Sequence, residues 1–261
     1  MLPFFFPVLD NLTGKVMNCF RKDGPQGYEF GDMLPEVVDV TNERVADTDG
    51  AVEQLLVPAA KLTKSLATIL GLGSGAGDIS RALSRRFPDA DIYGVDYSEI
   101  AIRKAIEISK IESINNVKFL KENVTSLPAD WTGKFDWVIL YDVLHDLPDH
   151  VNAMKEVQRV LKDGGVVSIT DPNVHSNHGD NVGDSNVAGV GYALSTVICL
   201  PCSLSIDDAA GHGIGWGTEN KEKFLISSGW LVKDKRNIGS PLAVNFTCVK
   251  AENKPDESSS C

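Results

Sequence analysis

Between Leu62 and Pro172 short apolar runs alternate with longer segments whose apolar residues recur every three to four positions. The short runs are Ala67 to Leu70, Asp91 to Val95, Val117 to Leu120, Phe135 to Leu140 and Val166 to Thr170. Their length and β-branched content predict strands, and their alternation with helix-period segments predicts βαβ units on a parallel sheet. Asp78 to Phe87 reads as a helix. Ser98 caps a second helix, with Ile102, Ala105, Ile106 and Ser109 on one face, and Asp149 caps a third carrying Val151, Met154, Val157 and Leu161. Lys162-Asp163-Gly164-Gly165 then supplies the left-handed turn that a helix-to-strand return requires.

Beyond Pro172 the pattern changes. A polar loop, Asn173 to Asn186, leads into an apolar stretch from Val187 to Cys202, too short for a bilayer crossing and read as a buried or pocket-covering helix. A glycine-rich loop, Gly211 to Gly217, follows, and Thr218 is expected to cap a helix containing Phe224 and Leu225. Two strand-like runs, Leu231 to Asp234 and Ala243 to Val249, close the sheet as a hairpin. The expected fold class is α/β, a Rossmann-like doubly wound sheet of seven strands, mainly parallel with one antiparallel strand. The expected organisation is an acidic, partly helical segment over residues 1–60, a main domain over 61–250 with a cap at about 173–216, and a loose tail over 251–261.

Composition narrows the function. The net charge of −11 argues against a nucleic acid partner, since affinity for phosphate needs clustered Lys and Arg. Five cysteines, an odd number at scattered positions, fit reduced thiols, so the expected location is the cytoplasm. The apolar start, Met1 to Leu9, lacks a basic flank and contains Pro3 and Pro7, which makes a poor leader, and no membrane partner is expected.

The chemistry concentrates at Ile69 to Gly77, where a predicted strand runs into closely spaced glycines and then a helix. Bare backbone there admits a ligand to the N–H groups at the helix start. Asp96 ends the next strand, 25 residues beyond Gly71, where a carboxylate faces a ribose. This spacing suits any adenosine-containing cofactor, and Gly71 to Ala76 also satisfies the relaxed G-x-G-x-x-A dinucleotide pattern, so NAD stays open.

Together with Gly94 to Ser98, Phe135 to Asp142 and Leu161 to Gly165, the glycine loop resembles the class I S-adenosylmethionine-dependent methyltransferases. Leu144-His145-Asp146, Tyr192 to Thr196 with Cys199-Leu200-Pro201, and Gly215-Trp216-Gly217 resemble a subgroup with a winged-helix segment ahead of the methyltransferase domain, a segment that looks truncated here. The resemblance implies S-adenosylmethionine as cofactor: Gly73, Gly75 and Gly77 around its methionine part, Asp96 on the ribose, Tyr97 near the adenine, Asn123 reading the adenine edge beside Val124, and Tyr141 and Asp142 bordering the sulfonium. Gly71 stands where the family usually carries an acid.

The expected activity is methyl transfer to a small-molecule acceptor, with His145 as base and Tyr192 and Trp216 as pocket walls. No metal is expected: His175 and His178 have H-x-x-H spacing but no helix to present them together. The alternatives are a non-catalytic, regulatory protein that keeps the cofactor site, which Gly71 and the short N-terminus favour, and an NAD-dependent oxidoreductase, for which no Tyr-x-x-x-Lys couple is visible.

Overall fold

The computed structural model describes residues 12–32, 48–182, 187–237 and 243–251. The aromatic start, the acidic residues 33–47 and nearly all of the expected tail, with Cys261, lie outside the described residues. In chain order the helices and strands are α1 (residues 12–19) and a continuous helical stretch α2, built of Thr48–Ala51, a π-helical turn Val52–Leu56 and Val57–Ala60. There follow β1 (Thr68–Leu72), α3 (Asp78–Arg86), β2 (Asp91–Asp96), α4 (Glu99–Ile111), β3 (Val117–Lys121) and β4 (Phe135–Tyr141). The second half holds α5 (His150–Val160), β5 (Leu161–Asp171), α6 (Val187–Val197), α7 (Cys199–Ser203), α8 (Thr218–Ser227), β6 (Trp230–Asn237) and β7 (Val244–Lys250).

The seven strands form one sheet in the order β3-β2-β1-β4-β5-β7-β6, parallel throughout except for β7, which runs antiparallel to both its neighbours. Strand β1 pairs with both β2 and β4, so the strand order reverses there. The central strands are apolar because helices cover both faces. Ile69, Trp137 and Ile139 join Leu55, Leu56 and Leu83 on one side, while Leu70, Leu72, Val138 and Leu140 join Met154, Val157 and Leu225 on the other. Phe135 packs with the second group although Trp137, two residues on, packs with the first. A register slip against β5 between these two residues breaks the alternation.

Local signals place the helix starts. Ser98 Oγ accepts the Ala101 N–H (3.3 Å) and Asp149 Oδ1 the Asn152 N–H (3.0 Å), as expected of caps. Thr218 departs from its expected role: it lies inside α8 and its hydroxyl donates to Asn173 (3.0 Å), while Ser176 Oγ accepts the Asn220 N–H from outside the helix. Leu161, expected on the α5 face, opens β5 instead, and Val151 is exposed. Gly164 takes the left-handed turn (φ +77°), and at Gly165 a Cβ would press on Leu161 and the Asp136 carbonyl. The apolar stretch from Val187 forms two helices, α6 and α7, broken at Ile198.

One buried side chain ties the amino ends of β1 and β4. Asp136 Oδ2 accepts the N–H groups of Ala67 (3.0 Å) and Thr68 (2.9 Å) and the Thr68 hydroxyl, and pairs with Lys162 (3.0 Å). Burial disfavours its charge, but the Lys162 ammonium and the Thr68 donors outweigh this and hold the carboxyl below its usual range. Replacing Asp136 with alanine strands two backbone donors, and is expected to cost about 1.5–3 kcal/mol in urea unfolding at pH 7. Because the folded value is lowered, this stabilisation is complete above the ordinary carboxyl value of about 3.9 and is lost as pH falls through the folded one. The gap between wild type and Asp136→Ala therefore narrows in acid.

Candidate active site

The reversal between β1 and β4 opens a crevice at the carboxyl edge of the sheet, where loops from β1, β2, β3 and β4 meet. A cavity of about 420 Å³ lies there. Its first wall is the end of β1 and the loop after it: Gly71, Gly73, Ser74 and Gly75 line it. Gly73 has φ +61°, and a Cβ there would come within 2.5 Å of Val143, so loop and opposite wall touch only because the side chain is absent. The Ser74 N–H donates to the Val95 carbonyl (2.8 Å), while Ser74 Oγ is buried without a hydrogen-bond partner.

Gly77 does not line the cavity. It stands at the start of α3 with φ +86°, and a Cβ would strike Phe119 at 2.5 Å, so it shapes the turn and seats α3 against β3. Arg81, almost fully buried, braces the same turn by donating to the Ala76 carbonyl and the Asp78 carboxylate. At Gly71 a Cβ would meet Ser80 Oγ at 3.2 Å, so the buried Ser80 hydroxyl crowds the direction in which the missing family acid would project.

Asp96 closes the base of the loop. Its Oδ2 accepts the Gly75 N–H and its Oδ1 the Ser98 N–H, both at 2.8 Å, which fixes the carboxylate while leaving lone pairs on both oxygens. Burial raises its pKa, against the donors from Ser98, Gly75 and Tyr97. Tyr97, 53% exposed, and Asn123 and Val124 line the cavity beside it. Asn123 Oδ1 is occupied by the N–H and hydroxyl of Thr125 (2.9 and 2.8 Å), leaving its amide N–H groups as the reading edge. A loop of bare backbone, an unpartnered buried hydroxyl and a fixed carboxylate together fit an adenosyl cofactor.

The opposite wall comes from the end of β4 and from the later helices. Tyr141, Asp142, Val143, His145 and Asp146 line it, joined by Ile198, Cys199, Cys202 and Ile214 and by Glu29 and Phe30 from the N-terminal segment. That segment is clipped in place: the Tyr28 N–H donates to the Pro201 carbonyl (3.1 Å) and its hydroxyl to the Val197 carbonyl. Asp142 holds a left-handed backbone (φ +59°), rare for a residue with a side chain, and its N–H donates to the Thr170 carbonyl (2.7 Å). Burial, then the neighbouring Asp142, raises the Tyr141 pKa.

His145 is 1% exposed and sits on a short 3₁₀ turn, Leu144–Asp146. Its Nδ1 lies 3.0 Å from Asp171 Oδ1 and its Nε2 3.0 Å from Asp146 Oδ1. Asp171 in turn meets Lys221, fully buried on α8, at 3.3 Å, and Lys221 also donates to the Pro172 carbonyl (2.8 Å). Burial opposes an imidazolium, yet Asp146 and Asp171 outweigh it and hold the His145 pKa well above its usual value. Burial likewise opposes the Asp171 charge, but Lys221 and His145 hold that carboxyl low. A carboxylate at each ring nitrogen favours the protonated ring, which lacks the free lone pair that a base uses.

The structure separates other residues that the sequence grouped. Neither Tyr192 nor Trp216 lines the cavity; Ile214 does. The Tyr192 hydroxyl accepts from Asn181 (2.8 Å), and Trp216 is buried with His212 stacked on it, ring centroids 4.0 Å apart. His175 pairs with Glu219 (3.0 Å) and His178 with the Gly215 carbonyl (3.3 Å), so the two do not converge. Asp171 and Lys221 meet across 50 residues of chain, a separation at which no local pattern marks a pair.

In chelator-treated protein, nitrogen NMR is expected to find His145 as an imidazolium at pH 7.5 and His212, lowered to about 4 by burial, His150 and Lys221, as a neutral ring. With a raised folded value, the His145 share of stability is complete below its unfolded value of about 6.5 and is lost as pH rises through the folded one. Asp171→Asn should move the His145 transition down, and a neutral His145 at pH 7 in the wild type would contradict the charge assignment.

Comparison with known proteins adds an independent line. Residues 63–220 match the methyltransferase domain family. The demethylmenaquinone methyltransferase of Lactococcus lactis is 38% identical over 101 residues, 38% of this chain and 40% of that protein. Its Staphylococcus aureus counterpart is 35% identical over 107 residues, 41% of this chain and 42% of that protein. The chain thus spans about two fifths of the length of these relatives. Among solved structures, a mitomycin 7-O-methyltransferase superposes with a TM-score of 0.67 at 14% identity, over 95% of this chain and 70% of the other. An S-adenosylmethionine-dependent methyltransferase from Aquifex aeolicus gives 0.59 at 16% identity, over 83% and 98%. These two share the fold. The family match covers more than half of the chain and coincides with the strand-to-glycine-loop architecture around Asp96, and the chain belongs to the methyltransferase domain family.

Proposed function

We propose that this protein transfers a methyl group from S-adenosylmethionine to a small-molecule acceptor within the cavity at the β1/β4 crevice. The observation that carries the reading is the two-sided lining: bare backbone with a fixed carboxylate on one wall, and Tyr141, His145 and an apolar surface of Ile198, Ile206 and Ile214 on the other. A volume of about 420 Å³ lies within the range of small-ligand sites.

When bound, the cofactor supplies a sulfonium carbon already activated for transfer, so the protein's task is to position and to exclude water. Asp96 receives the ribose hydroxyls on the lone pairs that Gly75 and Ser98 leave open. Ser74 Oγ takes the polar end of the methionine part, and Asn123 presents its amide to the adenine. Asp142 brings a carboxylate to the other side of the loop, beside Val143, in a site where Gly71 provides none.

Residues 187–216 act as the cap, held against the N-terminal segment by the two Tyr28 hydrogen bonds. The lining carries six carboxylates, Glu29, Asp78, Asp96, Asp142, Asp146 and Asp149, and no Lys or Arg among the described residues. This field selects against an anionic acceptor and for a neutral or cationic one. The relatives named for demethylmenaquinone fit a neutral ring acceptor.

Titration calorimetry with S-adenosylhomocysteine and, separately, NAD tests the reading. The expected result is saturable binding of the first only, weakened about 10- to 100-fold in Asp96→Ala, the loss of hydrogen bonds to a charged group. Preference for NAD, or an unchanged affinity in Asp96→Ala, would contradict it. Incubation with labelled S-adenosylmethionine and fractionated metabolites should label neutral or basic compounds in preference to acids.

A further inference from the structure

The acceptor wall contains a donor set that methyl transfer itself does not require. A nitrogen of His145, a carboxylate oxygen of Asp146 and the sulfur of Cys199 lie within 4.8 Å of one another. All three residues line the cavity. We propose that His145, Asp146 and Cys199 form a site for a divalent transition cation of the Zn²⁺ class, facing the cavity from the wall opposite the glycine loop.

The geometry is that of ligands gathered around a point. His145 Nε2 and Asp146 Oδ1 are 3.0 Å apart, yet Oδ1 is buried without a hydrogen-bond partner, so the two approach without sharing a proton along the line between them. Bonds of about 2.0–2.3 Å to a tetrahedral ion set donor separations of about 3.3–3.8 Å, which lies between this distance and the outer limit of the cluster. His145 is also oriented as metal-binding histidines are: Nδ1 faces the fully buried Asp171 carboxylate at 3.0 Å, which turns Nε2 outward, and Lys221 fixes Asp171 from behind at 3.3 Å.

Charge and chemistry agree. Nitrogen, sulfur and a single carboxylate suit zinc or its neighbours in the first transition row rather than magnesium or calcium, which call for oxygen ligands. The Asp146 carboxylate in the cluster and the buried Asp171 carboxylate behind His145 place negative charge around the position of the cation. Three protein donors leave a fourth position on the cavity side, the arrangement of an ion that meets a ligand. Cys202, in the same short helix and also lining the cavity, is not part of the cluster and provides the control.

Chelator-treated full-length protein titrated with Zn²⁺ by calorimetry is expected to bind one equivalent. With Co²⁺ in place of Zn²⁺, a thiolate-to-cobalt charge-transfer band is expected in the near ultraviolet, absent in Cys199→Ser and retained in Cys202→Ser. Asp171→Asn, which removes the orienting carboxylate without removing a ligand, should weaken Zn²⁺ by about 10- to 100-fold. If circular dichroism shows Cys199→Ser to be unfolded, His145→Gln and Asp146→Asn take its place, and each must weaken Zn²⁺ at least tenfold. No stoichiometric Zn²⁺ binding, or a cobalt band that survives in Cys199→Ser, would overturn the proposal. The test needs neither cofactor nor turnover, so its failure would leave the methyl-transfer reading standing.

Discussion

The placement of β1 between β2 and β4 governs the rest of this molecule. Two successive crossovers carry the chain outward from β1 to β3, and the next returns it past β1 to β4, so the connections leave the sheet in opposite directions there. No helix can cover the carboxyl end of the sheet at that point, and a crevice remains. Because the central strands are buried on both faces, their loops are the places where polar groups can reach a ligand. The backbone itself must therefore form part of the binding surface. Gly73, whose absent Cβ lets the loop lie against Val143, is the local consequence of that demand.

Electrostatics on the far wall follow from a second constraint. Asp171 and Lys221 are both fully buried, and neither could remain charged alone. Lys221 compensates Asp171, Asp171 holds His145, and Asp146 meets the other ring nitrogen. The chain of contacts links α8, far along the sequence, to the turn after β4. It also places a carboxylate at each ring nitrogen of His145, so the wall facing the cofactor loop is organised by paired polar groups.

What could be read from the sequence was what is decided locally. The five strand runs between Leu62 and Pro172, the Ser98 and Asp149 caps and the terminal hairpin each depend on residues within a few positions of one another, and each is found. The lining by Gly71, Gly73, Gly75, Asp96, Asn123, Tyr141 and Asp142 was legible for the same reason, since strand ends at the carboxyl edge carry the site. Contacts made across long separations were not. Phe135 changes sides through a slip against a strand 26 residues on, Gly77 answers to Phe119, and Trp216 is drawn into the core by His212, His150 and Phe224. Their aromatic side chains, in stretches that carry the subgroup resemblance, marked Tyr192 and Trp216 as wall material, but three-dimensional packing assigns that place to Ile198 and Ile214.

A crystal structure with S-adenosylhomocysteine bound is the most direct test of the account, since it shows both walls at once. The expected density has the ribose hydroxyls within hydrogen-bond distance of the Asp96 carboxylate, the amino-acid end against Gly73 to Gly75, and the sulfur turned toward Tyr141 and the His145 wall. Density lying outside this cavity, or a ribose placed away from Asp96, would contradict it.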